Sequence, residues 1–182
     1  MKPRQPISGT NQLFLREEEL RLGIDLLYFA SRDLAAEVEG LARRLSTAQS
    51  VISPSHLRLI GFLSSPTAQP ATKILRLMRI SKQSFSRMTA TLVARGWVIQ
   101  TSFNDDRRQR LLCLTEAGRD IERQVTAKLS AYLARAYRSA GASAVTGMRE
   151  VLLGLINEAE AQRYLPASLH HRKTGSDPNS LS

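Results

Sequence analysis

Nine basic residues fall between Lys73 and Arg110: Lys73, Arg76, Arg79, Lys82, Arg87, Arg95, Arg107, Arg108 and Arg110. Only two acids, Asp105 and Asp106, stand among them, and this local excess makes up most of the chain's net charge of +10. Within the segment lies a run of short polar and basic side chains: Ser81, Lys82, Gln83, Ser84, Ser86, Arg87 and Thr91. Hydroxyls and amides at this spacing can exchange hydrogen bonds with base edges, while guanidinium and ammonium groups neutralise phosphates. The chemistry on offer is non-covalent recognition of a polyanion, either nucleic acid or an anionic membrane surface.

Those side chains need a helix to carry them, and the sequence supplies one. Phe85, Met88 and Leu92 recur at helical spacing and are expected to face inward, leaving Ser84, Arg87, Thr91 and Arg95 along another face. Ser81 is placed to cap this helix, and Gly96 to stop it in a left-handed conformation. Upstream, Ser53-Pro54 signals a helix start, with Leu57, Ile60 and Leu63 inward. Thr67–Gln69 reads as a loop, and Pro70 opens a short helix through Ile74, Leu75 and Met78. Past Gly96 the period becomes extended: Trp97–Thr101 and Gln109–Leu114 read as two strands joined by the turn Asn104-Asp105-Asp106. The hairpin places Asp106, Arg107, Arg108 and Arg110 at its tip and on its returning strand. Arginines there can reach a narrow minor groove, and Asp106 is expected to orient one of them, Arg108 being the candidate.

The remaining chain reads as scaffold. Leu20, Ile24, Leu27, Leu34, Val38, Leu41 and Leu45 form a heptad-like stripe on a long helix starting near Leu13, widened by Leu22, Leu26 and Phe29. So much apolar helix surface is more than one small domain can bury, and a partner subunit is the natural cover. Thr115-Glu116 starts another long helix with Ile121, Val125, Leu129, Leu133 and Ala136 inward. Gly141 breaks it, and Ser143 begins a last helix carrying Val151, Leu152, Leu155 and Ile156. The fold class is therefore mainly α with a small β-hairpin wing: a winged helix-turn-helix domain plus long dimerisation helices. The expected division is a flexible arm at 1–12, a helical dimerisation region at 13–50 and 116–165, a DNA-binding domain at 51–115, and a tail at 166–182 rich in Ser, Pro, Asn and His and expected to be disordered.

Other function classes fare worse. No Gly-rich phosphate loop, nucleophile motif or metal-ligand spacing is present, so neither an enzyme nor a cofactor or metal protein is expected. His170 and His171 have no carboxylate or cysteine neighbours. No run of about 18 apolar residues exists, and Met1–Pro6 does not read as a secretory signal. Cys113, the only cysteine, excludes an internal disulfide, agrees with a reducing cytoplasm, and is expected to be an inert thiol. A membrane adaptor would carry its charge on an amphipathic helix, whereas here it continues into a hairpin. The alternative is a nonspecific nucleic-acid-binding or RNA-binding protein. The basic segment, however, offers only Phe85, Trp97 and Phe103 as stacking platforms.

Several separated elements carry a resemblance. Ser86-Arg87-Met88, Leu92-Val93-Ala94-Arg95-Gly96-Trp97-Val98, Asp106-Arg107-Arg108 and Leu114-Thr115-Glu116-Ala117-Gly118-Arg119 occur in order, and over residues 52–121 the chain resembles the MarR family of bacterial regulators. The opening Leu13-Phe14-Leu15-Arg16-Glu17-Glu18-Glu19-Leu20 is similar to a subset found in α-proteobacteria. The resemblance implies a cytoplasmic homodimer closed by the first and last two helices, with Leu20, Ile24, Leu27, Val151 and Leu155 in the interface. Its two recognition helices would enter successive major grooves of a pseudo-palindromic operator on double-stranded DNA. It further implies a repressor responsive to a small aromatic or anionic effector, bound near Phe29, Arg32 and Asp33 of the first helix and His56 and Ile60 of the second. By position alone, His56 reads as an ordinary half-buried imidazole.

Overall fold

The structure is a computed structural model that describes residues 16–103 and 106–156, with backbone only at 102, 103 and 106–109. Six helices and three strands follow in the order α1 (Glu17–Leu45), α2 (Pro54–Phe62), β1 (Gln69–Pro70), α3 (Ala71–Met78), α4 (Lys82–Ala94), β2 (Val98–Phe103), β3 (Asp106–Leu114), α5 (Glu116–Ala140) and α6 (Ala142–Leu155). Packing divides the chain into two compact units, one ending at Leu129 and the other beginning at Ser130, so the boundary falls within α5.

The core of the first unit is built where the periodicity put it. Leu57 and Ile60 from α2 and Leu63 at its end, Ile74 from α3, and Phe85, Met88 and Leu92 from α4 are buried together with Leu41, Ala42 and Val125. Trp97 and Val98 at the start of the hairpin, and Leu112 and Leu114 on its returning strand, complete it. Only the C-terminal part of α1 enters this core. Leu20, Ile24 and Leu27 are exposed, with Ile24 at 67%.

A strand not anticipated from the sequence completes the sheet. Gln69 and Pro70 pair antiparallel with Leu112 and Leu111, giving the order β1-β3-β2. Two residues are too few for an alternating pattern to register, and Pro70 is tolerated because it lies on an edge strand, where a missing N–H leaves no ladder bond unmade. The hairpin also extends further than expected. Asp106, read as a turn residue, starts β3 and pairs with Phe103 across an irregularity between Ser102 and Phe103.

The stops and starts obey local chemistry. Arg95, Gly96 and Trp97 end α4 in a Schellman motif: Trp97 N–H donates to Leu92 O at 3.0 Å and Gly96 N–H to Val93 O at 2.9 Å, with Gly96 at φ 66°. Thr115 then caps α5, its Oγ1 accepting from Gly118 N–H at 2.9 Å while its hydroxyl donates to Gly96 O at 2.6 Å. Thr115 N–H donates to Trp97 O at 3.0 Å, and Arg119 donates to Leu114 O at 3.0 Å. These bonds tie the end of α4, the base of the hairpin and the start of α5 into one joint. Gly141, at φ 84°, separates α5 from α6.

Candidate nucleic-acid interface

The polar face of α4 is set by its cap and its buried side. Ser81 Oγ accepts from Ser84 N–H at 3.1 Å and donates to Ser84 Oγ at 2.9 Å, so both functions of that hydroxyl are committed to starting the helix. Phe85, Met88 and Leu92 fix the helix against the core. Thr89 joins them, its hydroxyl donating to Phe85 O at 2.9 Å. Lys82, Gln83, Ser84, Ser86 and Arg87 are left exposed on the other side. Thr91 is half-buried and its hydroxyl donates to Arg87 O at 3.1 Å, so it is less available than its neighbours.

Arg95 does not belong to this face, contrary to its angular position in the sequence. Its guanidinium carbon lies 4.3 Å from the centroid of the buried Trp97 ring, and Nη2 donates to Leu45 O at 3.0 Å. It is a tie between the C-terminal ends of α4 and α1. A cation there also complements the exposed carbonyls ending α1.

The hairpin flanks α4 across a groove of about 610 Å³, where Ser86, Ala90 and Val93 of the helix face Gln100 and Arg110 of the strands. Arg110 is exposed. The side chains of Asp106, Arg107 and Arg108 lie outside the described residues. Gln100 was missed from the sequence. Strand alternation gave no signal for it, because Gln100 shares a face with Val98, which is buried two residues earlier. Residues 40–104 contain no Asp or Glu.

The residues expected to form an effector site fall into separate groups. On α1, the Arg32 guanidinium lies 4.9 Å over the Phe29 ring and pairs with Asp33 at 2.8 Å, while Tyr28 meets Phe29 edge-on at 5.4 Å. Phe29 lies nine residues before Val38, the first α1 side chain packed on the core, or roughly 13 Å along the helix. Ile60 is 1% exposed and belongs to the core. His56 closes a reciprocal cap with Ser53: its Nδ1 accepts from Ser53 N–H at 3.0 Å and lies 2.7 Å from Ser53 Oγ. Histidine thus takes the place usually held by Glu or Gln in a capping box. Its Nε2 is buried without a hydrogen-bond partner among the described residues, and desolvation lowers its pKa below the ordinary imidazole value. Cys113 is half-buried on β3, opposite Ile99.

A capped helix with an exposed polar and basic face, preceded by a short helix and flanked by a basic hairpin, defines a winged helix-turn-helix DNA-binding protein. Comparison with known proteins bears this out. The model of the MarR family matches residues 52–109. The HTH-type transcriptional regulator PetP of Rhodobacter capsulatus is 32% identical over 156 residues, covering 86% of this chain and 91% of that one. This chain belongs to the MarR family of transcriptional regulators. Two solved structures share its fold. Streptococcus pneumoniae FabT in complex with DNA has a TM-score of 0.64 at 19% identity, over 79% of this chain and 98% of its own. NadR in complex with 4-hydroxyphenylacetate has a TM-score of 0.58 at 16% identity, over 85% of this chain and 97% of its own. Among the described residues, no helix is long and apolar enough to cross a membrane.

Proposed function

We propose that this regulator acts as a cytoplasmic homodimer that reads a pseudo-palindromic operator on double-stranded DNA and represses transcription until a small aromatic or anionic effector releases it. The observation that carries the reading is the α4 face: Gln83, Ser84, Ser86 and Arg87 stand exposed on a helix whose opposite side is locked by Phe85, Met88 and Leu92. In this reading Arg87 contacts a base, Lys82 contacts a phosphate, and Ser81 acts through the cap it provides. Arg107, Arg108 and Arg110 then serve the neighbouring minor groove, with Asp106 orienting one of them. FabT, a fold neighbour, was solved with DNA bound.

Dimerisation is supported by apolar surface that the isolated chain leaves uncovered. Leu20, Ile24 and Leu27 on α1 are 51%, 67% and 43% exposed. On α6, Val151 and Leu155 are 62% and 64% exposed. The effector proposal rests on the exposed aromatic and cationic group Phe29, Arg32 and Asp33, on the unpartnered His56 Nε2, and on NadR, which was solved with a small aromatic carboxylate. Ile60 would contribute only as packing behind such a site.

Selection from a random duplex DNA library tests the reading. At near-physiological salt the protein is expected to enrich an inverted repeat whose half-sites lie about ten base pairs apart, centre to centre. Binding without motif enrichment, vanishing steeply with salt, would leave a nonspecific polyanion binder in its place.

A further inference from the structure

Four elements meet at the C-terminal end of α4, and Arg95 stands between them. Its guanidinium carbon lies 4.3 Å from the centroid of the Trp97 ring at the start of the hairpin, and Nη2 donates at 3.0 Å to the carbonyl of Leu45, the last residue of α1. Nη1 is buried without a hydrogen-bond partner among the described residues, so the direction of the group rests on Trp97 and Leu45. Trp97 O in turn accepts from the N–H of Thr115, the cap of α5. The helix α2 packs on both α1 and α4, and Arg95 adds a direct link between them. This anchored end is the far end of α4 from its exposed polar side chains. Lys82 lies 13 residues before Arg95, or about 20 Å along the helix. A tilt of about 10° around the anchor carries Lys82, Gln83 and Ser84 by about 3 Å, close to the rise of one base pair. Apolar packing of Phe85, Met88 and Leu92 is non-directional and fixes which face of α4 is buried. The tie to α1 fixes the angle.

We propose that Arg95 is a positioning residue for operator reading: by holding α4 at a fixed angle to α1, it sets the separation of the two recognition helices in the dimer and so the half-site spacing the protein accepts. The inference rests on the dimeric DNA-binding reading above and adds to it a residue that touches no DNA. The exposed face of α4 decides which bases are read, and Arg95 takes no part in that face. Its loss therefore relaxes spacing and leaves base preference within a half-site as it was.

The test titrates the full-length parent, Arg95→Met and Arg95→Lys against the selected operator and against versions with one base pair added or removed between the half-sites, all at one salt concentration. Thermal melting and sedimentation establish that each variant is folded and dimeric at the assay temperature. The parent is expected to lose at least about tenfold on either altered spacing, because one base pair both translates and rotates a half-site. Arg95→Met should lose no more than about threefold on the same change, while its ranking of single-base-pair substitutions within a half-site stays that of the parent. Arg95→Lys still offers a cation to Trp97 and a donor to Leu45 O but lacks the planar fork, and should fall between the two. An Arg95→Met variant that keeps the parent's spacing penalty overturns the inference, even if it binds every duplex more weakly, since a merely structural or electrostatic role weakens all spacings alike. If Arg95→Met does not fold, Arg95→Lys decides: a penalty equal to the parent's overturns the inference, and a reduced one supports it. A parent without spacing preference removes the dimeric reading and this inference together. A parent that discriminates beside variants that discriminate equally removes this inference alone.

Discussion

Gly118→Ala adds one methyl group where α5 meets the base of the hairpin. A Cβ built at that position would lie 2.0 Å from Trp97 O and 2.9 Å from its carbonyl carbon. The obstructing atoms are backbone, and they are held: Trp97 O accepts from Thr115 N–H, Trp97 N–H donates to Leu92 O, and the ring is buried beneath Arg95. Ordinary carbon–oxygen contact therefore requires the joint to open by more than an ångström. Overpacking against an unyielding neighbour costs up to about 3 kcal/mol. Losing the Thr115–Trp97 hydrogen bond adds about 1 kcal/mol, while the better helix propensity of alanine returns at most about 1 kcal/mol. The net destabilisation is about 3 kcal/mol, which for a chain of this size lowers Tm by roughly 6–12 °C. Thermal and denaturant melting of the variant should be set beside Gly61→Ala, a helical position with nothing within 4 Å of an added Cβ, which is expected to be neutral or mildly stabilising. A Gly118→Ala protein as stable as the parent would refute the claim that the Leu-Thr-x-x-Gly segment is a close-packed joint.

Arg95→Met is expected to cost about 2 kcal/mol in denaturant melts, because it removes the guanidinium from Trp97 and leaves Leu45 O without its donor; stability within a few tenths of the parent would return Arg95 to the solvent-facing set. His56 predicts a pH effect. Its folded pKa lies below its unfolded value, so the unfolded chain binds the proton more readily. The stability it contributes is complete above about pH 6.5 and is lost as pH falls through the folded value. His56→Gln, which keeps an acceptor for Ser53 N–H, should flatten the fall in Tm between neutral and mildly acid pH, and an unchanged profile would place the titration elsewhere. Ile24→Asp should raise the dimer dissociation constant at least a hundredfold in sedimentation experiments, since an unpaired buried charge costs several kcal/mol; an unaffected dimer would exclude α1 from the interface.

Much of this molecule is written in its punctuation. Ser53-Pro54, Ser81, Gly96, Thr115 and Gly141 each stand at an element boundary, because caps and left-handed stops depend on a few neighbouring residues. Phe85, Met88 and Leu92 were legible for a similar reason: burial on a helix repeats with its turn. Arg95 was misread because helical periodicity gives the angle of a side chain but not its reach, and its partner Leu45 is 50 residues away. Thr89 is buried although polar, since its hydroxyl is satisfied by its own helix. Asp106 was assigned to the turn because the ladder irregularity before Phe103 leaves no trace in local composition. Ile60 shows the limit of transferring a site by resemblance, because the helix position carries over more readily than the direction in which the side chain is used.

The central claim is that α4 reads bases, and Arg87 tests it most directly. The parent and Arg87→Ala should be titrated, at one salt concentration, against the selected operator and every single-base-pair variant of its half-site. Arg87 is exposed, and Thr91 takes up its backbone carbonyl rather than its side chain, so truncating that side chain should leave the fold intact. The expected result is a loss of about 1–3 kcal/mol on the operator, with preference relaxed at one base pair and retained at the others. Equal affinity of the two proteins for the operator, or a loss spread evenly over every sequence, would contradict the claim.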